Sequence, residues 1–139
     1  MKTMRACLCL LVLACLLCVA QSPVPETVRG KLTQRAGQLP AVETKDGKLI
    51  TLEGDADTRG VINDKRLNGE DVAMRGRFVA HDRFMIDPIH TKAIHVHKDG
   101  HEKLITYWCE LCAIRTYTPG ICWCCQEETA LDLRDPDAK

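Results

Sequence analysis

Residues 71–80, DVAMRGRFVA, alternate without a break. Val72, Met74, Gly76 and Phe78 fall on one side of an extended chain, and Ala73, Arg75, Arg77 and Val79 fall on the other. A period of two sustained over the whole run commits it to a half-buried strand, because no helix face collects every second residue. The same pattern recurs in shorter pieces. Residues 28–34 alternate likewise, with Val28, Gly30 and Leu32 against Arg29, Lys31 and Thr33. Residues 41–44 and 48–52 flank Lys45-Asp46-Gly47, and residues 93–97 and 102–108 flank Asp99-Gly100. An Asp-Gly pair between two apolar runs is a strong hairpin signal, since both residues tolerate the positive φ that tight turns need. Residues 83–87 form one more short strand, stopped by Pro88.

One segment breaks the alternation. In residues 57–69, DTRGVINDKRLNG, Asp57 can cap a helix, Val61, Ile62 and Leu67 share a helical face, and Asn68-Gly69 ends it. One short helix or helical turn is expected there. Strands, a helical element after the third strand, then further strands predict a mainly β fold: a small OB-like Greek-key barrel over residues 27–108 with one short helix. Gly30 and Gly76, each inside a strand, suit the sharp bends or bulges that close such barrels. With six aromatic residues in the chain, the core has to be built from Val, Ile, Leu and Met.

The ends have a different character. Residues 1–20 read as a secretory signal, with Lys2 and Arg5 ahead of an apolar run from Ala6 to Val19, and small residues at Cys18 and Ala20 for cleavage before Gln21. That run is shorter than the roughly 20 residues a bilayer span needs, so no transmembrane span is expected after cleavage. A lipoprotein signal would use Cys15, a poor fit because the apolar run continues past it. The localisation implied is exported, periplasmic or secreted. Four of the nine cysteines leave with the signal, and the mature chain keeps 17 basic residues against 19 acidic. It therefore has no global basic field for a nucleic-acid backbone. Residues 21–26, QSPVPE, form an extended leader, and the charged tail 127–139 is expected to fray.

The remaining five cysteines crowd into residues 109–125. Cys109 and Cys112, then Cys122 and Cys125, have the spacing of a four-thiolate zinc site: each Cys-x-x-Cys turn aims two sulfurs at one ion, and two turns complete a tetrahedron. Ala113 and Gln126 stand where glycine usually eases such turns. Cys124 is surplus and could substitute for a neighbouring ligand. Export favours disulfides instead, in which case the segment is stapled and an odd thiol is left over. Haem attachment would need a histidine at Ala113, and a thioredoxin-like dithiol should open a helix, whereas Cys109 ends a strand. An iron–sulfur cluster is normally inserted before export of a folded protein, and the chain has no twin-arginine pair.

Four of the six aromatics, Tyr107, Trp108, Tyr117 and Trp123, interleave with the cysteines. They can form a small core beside the site or a partner-binding patch. His95 and His97 share a strand face and His101 returns across the Asp99-Gly100 turn, a candidate second metal site for copper or zinc, with His90 as a spare. Arg75 and Arg77 share a face without an aromatic platform for bases, a weak nucleic-acid signal.

Segments VRGKL, ITLEG and VAMRGRF, with CELC and CWCC in the tail, give the chain a pattern that resembles small exported bacterial OB-like barrel proteins carrying a zinc-ribbon-like segment at residues 109–126. The resemblance implies a non-enzymatic binding or structural module with zinc at Cys109, Cys112, Cys122 and Cys125 and a protein partner. Two other expectations stand beside it. One is copper or zinc handling by the cysteines with His95, His97 and His101; the other is thiol–disulfide exchange at Cys109 and Cys112.

Overall fold

The computed structural model describes residues 24–137. The expected signal sequence, with Cys15, lies outside the described residues. Nine strands carry the fold: β1 (Glu26–Thr33), β2 (Ala41–Glu43), β3 (Leu49–Glu53), β4 (Asp71–Ala80), β5 (Arg83–Ile86), β6 (Ile94–Lys98), β7 (His101–Cys109), β8 (Ile114–Thr116) and β9 (Ala130–Arg134). The first five close on themselves in the order β1-β2-β3-β5-β4-β1, antiparallel throughout except for the parallel β3–β5 pair. This closed five-stranded barrel within a mainly β fold is the architecture that the alternation predicts.

Closure depends on two glycines. β1 bends at its middle so that Glu26–Lys31 pair with β4 and Lys31–Thr33 pair with β2. At Gly30 an added Cβ would drive into the Glu43 carbonyl, and at Gly76 into the Met85 carbonyl. Backbone thus packs on backbone at both corners, and a side chain there would hold the strands apart.

The Asp-Gly turns are both present and of different kinds. Between β2 and β3 the Gly47 amide donates to the Thr44 carbonyl (2.8 Å) and Gly47 alone is left-handed. Between β6 and β7, Asp99 and Gly100 both hold positive φ, 52° and 79°, the two-residue hairpin geometry that matches strand twist.

The helix α1 spans Ala56–Ile62, and its N-cap is Asp55 rather than Asp57, with the Asp55 carboxylate accepting the Thr58 amide at 2.8 Å. A 3₁₀ turn at Lys65–Leu67, capped by Asp64, continues it. Val61, Ile62 and Leu67 from these turns are buried against Val28, Leu32, Val42, Leu52, Val72, Met74 and Phe84 of the barrel. Aliphatic side chains and methionine form most of this core, with Phe84 and Tyr107 as its aromatics. A second helical turn not anticipated from sequence, α2 (His90–Ala93), leads into β6.

Beyond the barrel, β6 pairs with Val72–Met74 of β4, and β7 pairs with β6. Leu104 of β7 faces both His95 of β6 and Arg134 of β9, while Tyr107 and Trp108 face both β8 and β9. β9 therefore covers one edge of β7, and β6 and β8 share the other. The tail does not fray as expected: residues 130–134 form β9, and Leu131 and Leu133 pack on the core. Among the described residues no helix is long and apolar enough to cross a membrane.

Candidate metal centre

β7 delivers Cys109 directly from the barrel extension, and the chain then turns through Glu110, Leu111 and Cys112 into β8. After β8 it passes Pro119-Gly120 and makes a second turn from Cys122 to Cys125, flanked by an Ile121–Glu128 bridge. The two turns are built alike. In the first, the backbone amides of Cys112 and Leu111 favour negative charge on the Cys109 sulfur. In the second, the backbone amides of Cys125 and Cys124 favour negative charge on the Cys122 sulfur. In both, the residue after the second cysteine is left-handed: Ala113 at φ 50° and Gln126 at φ 63°. The positions where glycine is missing from the sequence adopt the conformation that glycine would have eased.

The second turn is further braced. The Gln126 amide donates to the Cys122 carbonyl (2.9 Å) and the Cys122 amide to the Glu127 carbonyl (2.7 Å). Thr129, itself buried, donates from its hydroxyl (2.8 Å) and its amide (3.0 Å) to the Gly120 carbonyl.

Together the turns bring the Sγ atoms of Cys109, Cys112, Cys122 and Cys125 within 4.8 Å of one another, the group of potential metal ligands that converges among the described residues. Cys109 and Cys122 are buried and the other two half-buried; Cys109 Sγ and Cys125 Sγ lie 3.4 Å apart. A tetrahedral ion bonded at about 2.3 Å places its sulfurs roughly 3.8 Å apart. The donor set, its spacing and its burial fit such an ion. All five cysteines of the described residues are free thiols.

Electrostatics inside the cluster is unequal. Amides of Cys125 and Cys124 draw the Cys122 thiol down to about 7. The Cys112 amide favours a thiolate at Cys109, but burial and the neighbouring Cys125 and Cys122 thiols leave Cys109 raised. Cys112 is pushed up by the adjacent Cys124 and Cys125 thiols. A divalent cation held by the four sulfurs would favour thiolate at every ligand.

Cys124 is exposed and outside the converging set. It occupies the same place in the second turn as Leu111 in the first. The histidines are dispersed. His101 stands opposite Lys98, and His97 opposite Glu102, so His101 projects from the face opposite to that of His95 and His97. His97 Nε2 lies 3.4 Å from a Glu102 carboxylate oxygen. His90 is buried, and its Nε2–H donates to the Tyr117 carbonyl at 2.7 Å, tethering the loop between the cysteine turns to the barrel. Arg75 is engaged with Asp87 at 3.0 Å. The aromatics divide: Tyr107 is fully buried in the core and Trp108 stacks under Arg115 (4.8 Å), whereas Tyr117 and Trp123 are 50% and 72% exposed.

Sequence reading missed the scaffold behind the site. Arg115 of β8 engages Asp132 of β9, and the Thr106 hydroxyl donates to the Asp132 carbonyl (2.7 Å). Arg66 donates to the Thr129 carbonyl (2.7 Å), pairs with Asp64 (2.8 Å) and lies 5.3 Å from the Tyr107 ring centre. Alternation in ALDLR, with Leu131 and Leu133 inward, is the signal that would have found β9. Comparisons with protein-family models, with curated proteins and with solved structures return no match to this chain.

Proposed function

We propose that this chain is an exported, non-enzymatic binding module in which Cys109, Cys112, Cys122 and Cys125 hold one structural zinc ion. The observation that carries the reading is the pair of matching Cys-x-x-Cys turns, whose four sulfurs lie within 4.8 Å of one another. Four thiolates in a closed, partly buried tetrahedral set suit zinc in a structural role, which needs no open coordination position. Barrel connectivity with a helix between the third and fourth strands supports an OB-type fold for the remainder. Zinc would fix the two turns against β7, and the exposed tips of those turns would meet a protein partner. Leu111, Ile121 and Trp123, which are 75%, 62% and 72% exposed, support that role, since large apolar side chains left in water at turn tips are favoured anchors.

Native mass spectrometry of the exported protein tests the assignment. One zinc per chain, with the thiols reduced, is expected. A metal-free mass lighter by the hydrogens of two disulfides overturns it.

A further inference from the structure

A cleft of about 470 Å³ opens on the barrel surface among β1, β2, β4 and β6, and no residue of the cysteine turns lines it. That size suits a small molecule. Gly30 lines it where β1 passes from β4 to β2, with no side chain to fill the corner. Lys31 stands in register between Glu43 of β2 and Asp71 of β4, and all three line the cleft. Opposite charges directly across strands ordinarily pair. Here none of the three, nor Lys45 beside them, forms a salt bridge among the described residues. Arg29 meets Glu102 only at 3.9 Å, with both side chains well exposed, and such a pair holds a guanidinium weakly. His97 lines the cleft too, and its Nε2 is shut off from solvent without a hydrogen bond, unsatisfied by the Glu102 oxygen at 3.4 Å. A polar atom left in that state is one that a ligand can satisfy.

We propose that this cleft binds a small zwitterion whose anionic groups outnumber its cationic ones, the chemistry of an acidic amino acid. The walls offer three permanent cations, Arg29, Lys31 and Lys45, against two carboxylates, Glu43 and Asp71. A simple anion would meet the cations but leave both carboxylates facing like charge, and a simple cation fails in the converse way. A neutral apolar guest would take water from all five charges and return a partner to none. Two acid groups and one ammonium balance the set. The acids accept from Arg29, Lys31 and Lys45, with the Arg29 fork able to take a carboxylate through two parallel bonds. The ammonium donates to the Glu43 and Asp71 carboxylates on either side of Lys31. The site uses no cysteine, so it stands whether or not the four converging sulfurs hold a metal.

The full chain, isotope-labelled and titrated with L-glutamate under NMR observation, tests the cleft. Glutamate should move the amides of Gly30, Lys31, Thr44 and His97 saturably. N-acetyl-L-glutamate keeps both acids and loses the ammonium, and L-glutamine loses one acid; each should bind about tenfold more weakly. Glutamyl-glycine separates two sources of the same chemistry: binding equal to that of glutamate assigns the cleft to acidic peptide N-termini, and weaker binding assigns it to the free amino acid. The double variant Glu43→Gln, Asp71→Asn, at two exposed positions, gives the sharpest reading. It should weaken glutamate about tenfold, whereas a surface that merely attracts anions would bind it more tightly. No saturable shift at these amides, N-acetyl-L-glutamate binding as tightly as glutamate, or equal or tighter glutamate binding by the double variant overturns the proposal.

Discussion

Left-handed backbone at a residue other than glycine costs about 1–2 kcal/mol, and this chain accepts that cost at Ala113 and Gln126. Gln126 recovers part of it, since its side-chain amide donates to the Trp123 carbonyl at 3.1 Å. Alanine has no such means. Ala113→Gly is therefore expected to stabilise the metal-loaded chain by about 1 kcal/mol, some 4 °C in melting temperature for a domain of this size. Gln126→Gly should gain less. Thermal melts of the two variants give the comparison, and a lower melting temperature for Ala113→Gly would contradict the turn geometry. Asp64 makes the opposite case, a residue whose charge is needed. Its side chain is 6% exposed, and burial alone would raise its pKa; the Arg66 guanidinium and amide outweigh that and hold the carboxyl below the ordinary range. A depressed native pKa contributes stability that is complete above the unfolded value of about 3.9 and lost as pH falls through the native value. Asp64→Asn should thus cost roughly 2–3 kcal/mol at neutral pH, with the two proteins converging in strong acid. Urea titrations at several pH values measure the gap; a constant gap across the acid range would refute the assignment.

At the scale of elements, β9 joins the barrel to the cysteine turns. It pairs with β7 from Leu104 to Trp108, and its Asp132 engages both Arg115 and Thr106. Removing residues 130–139 should lower stability by about 3–5 kcal/mol, from lost ladder bonds and the uncovered Leu131 and Leu133 sites. It would also bare one edge of β7, a template for pairing with another chain. Urea denaturation and light scattering together check this, and a truncated chain that is as stable and monodisperse as the parent would show β9 to be dispensable. Much of this architecture was legible in sequence. Strict alternation placed β4 at residues 71–80 to the residue, and Gly30 and Gly76 marked the corners because only a missing Cβ permits that approach. The four converging cysteines were legible from their spacing, which is what lets two turns bring their sulfurs together. β9 was missed because Asp132, Arg134 and Asp135 outweigh two leucines in any reading of composition, although every second residue still faces inward. The helical turn at His90–Ala93 was hidden by its length and by Pro88 just ahead of it. The histidine site depended on register: Lys98 and His101 pair across the two-residue turn, and that single step puts His101 on the far face.

For the whole molecule, the decisive relation is between two sources of order. The barrel has a hydrophobic core that runs from Val28 to Tyr107 and contains no cysteine. The segment between β8 and β9 has only Cys122 and Thr129 buried among residues 117–129, and leaves Tyr117, Ile121 and Trp123 exposed. Burial can hold the first part, whereas the second has too little apolar surface to offset the entropy of ordering its chain. Metal removal should therefore act locally. Chelation under reducing conditions is expected to release residues 109–129 while β1–β5 stay folded, because metal binding and folding are one event only where no other core exists. Hydrogen exchange read by peptide mass would show amides at 110–129 losing protection, while those of β1, β4 and β5 remain slow. The first turn is held between the paired strands β7 and β8, whereas the second depends on its own bracing and on tethers at His90–Tyr117 and Arg66–Thr129, so the loss should begin at the second turn. If the barrel amides exchange as fast as those of the cysteine segment after chelation, the ion holds the entire fold and the division into two sources of order is wrong.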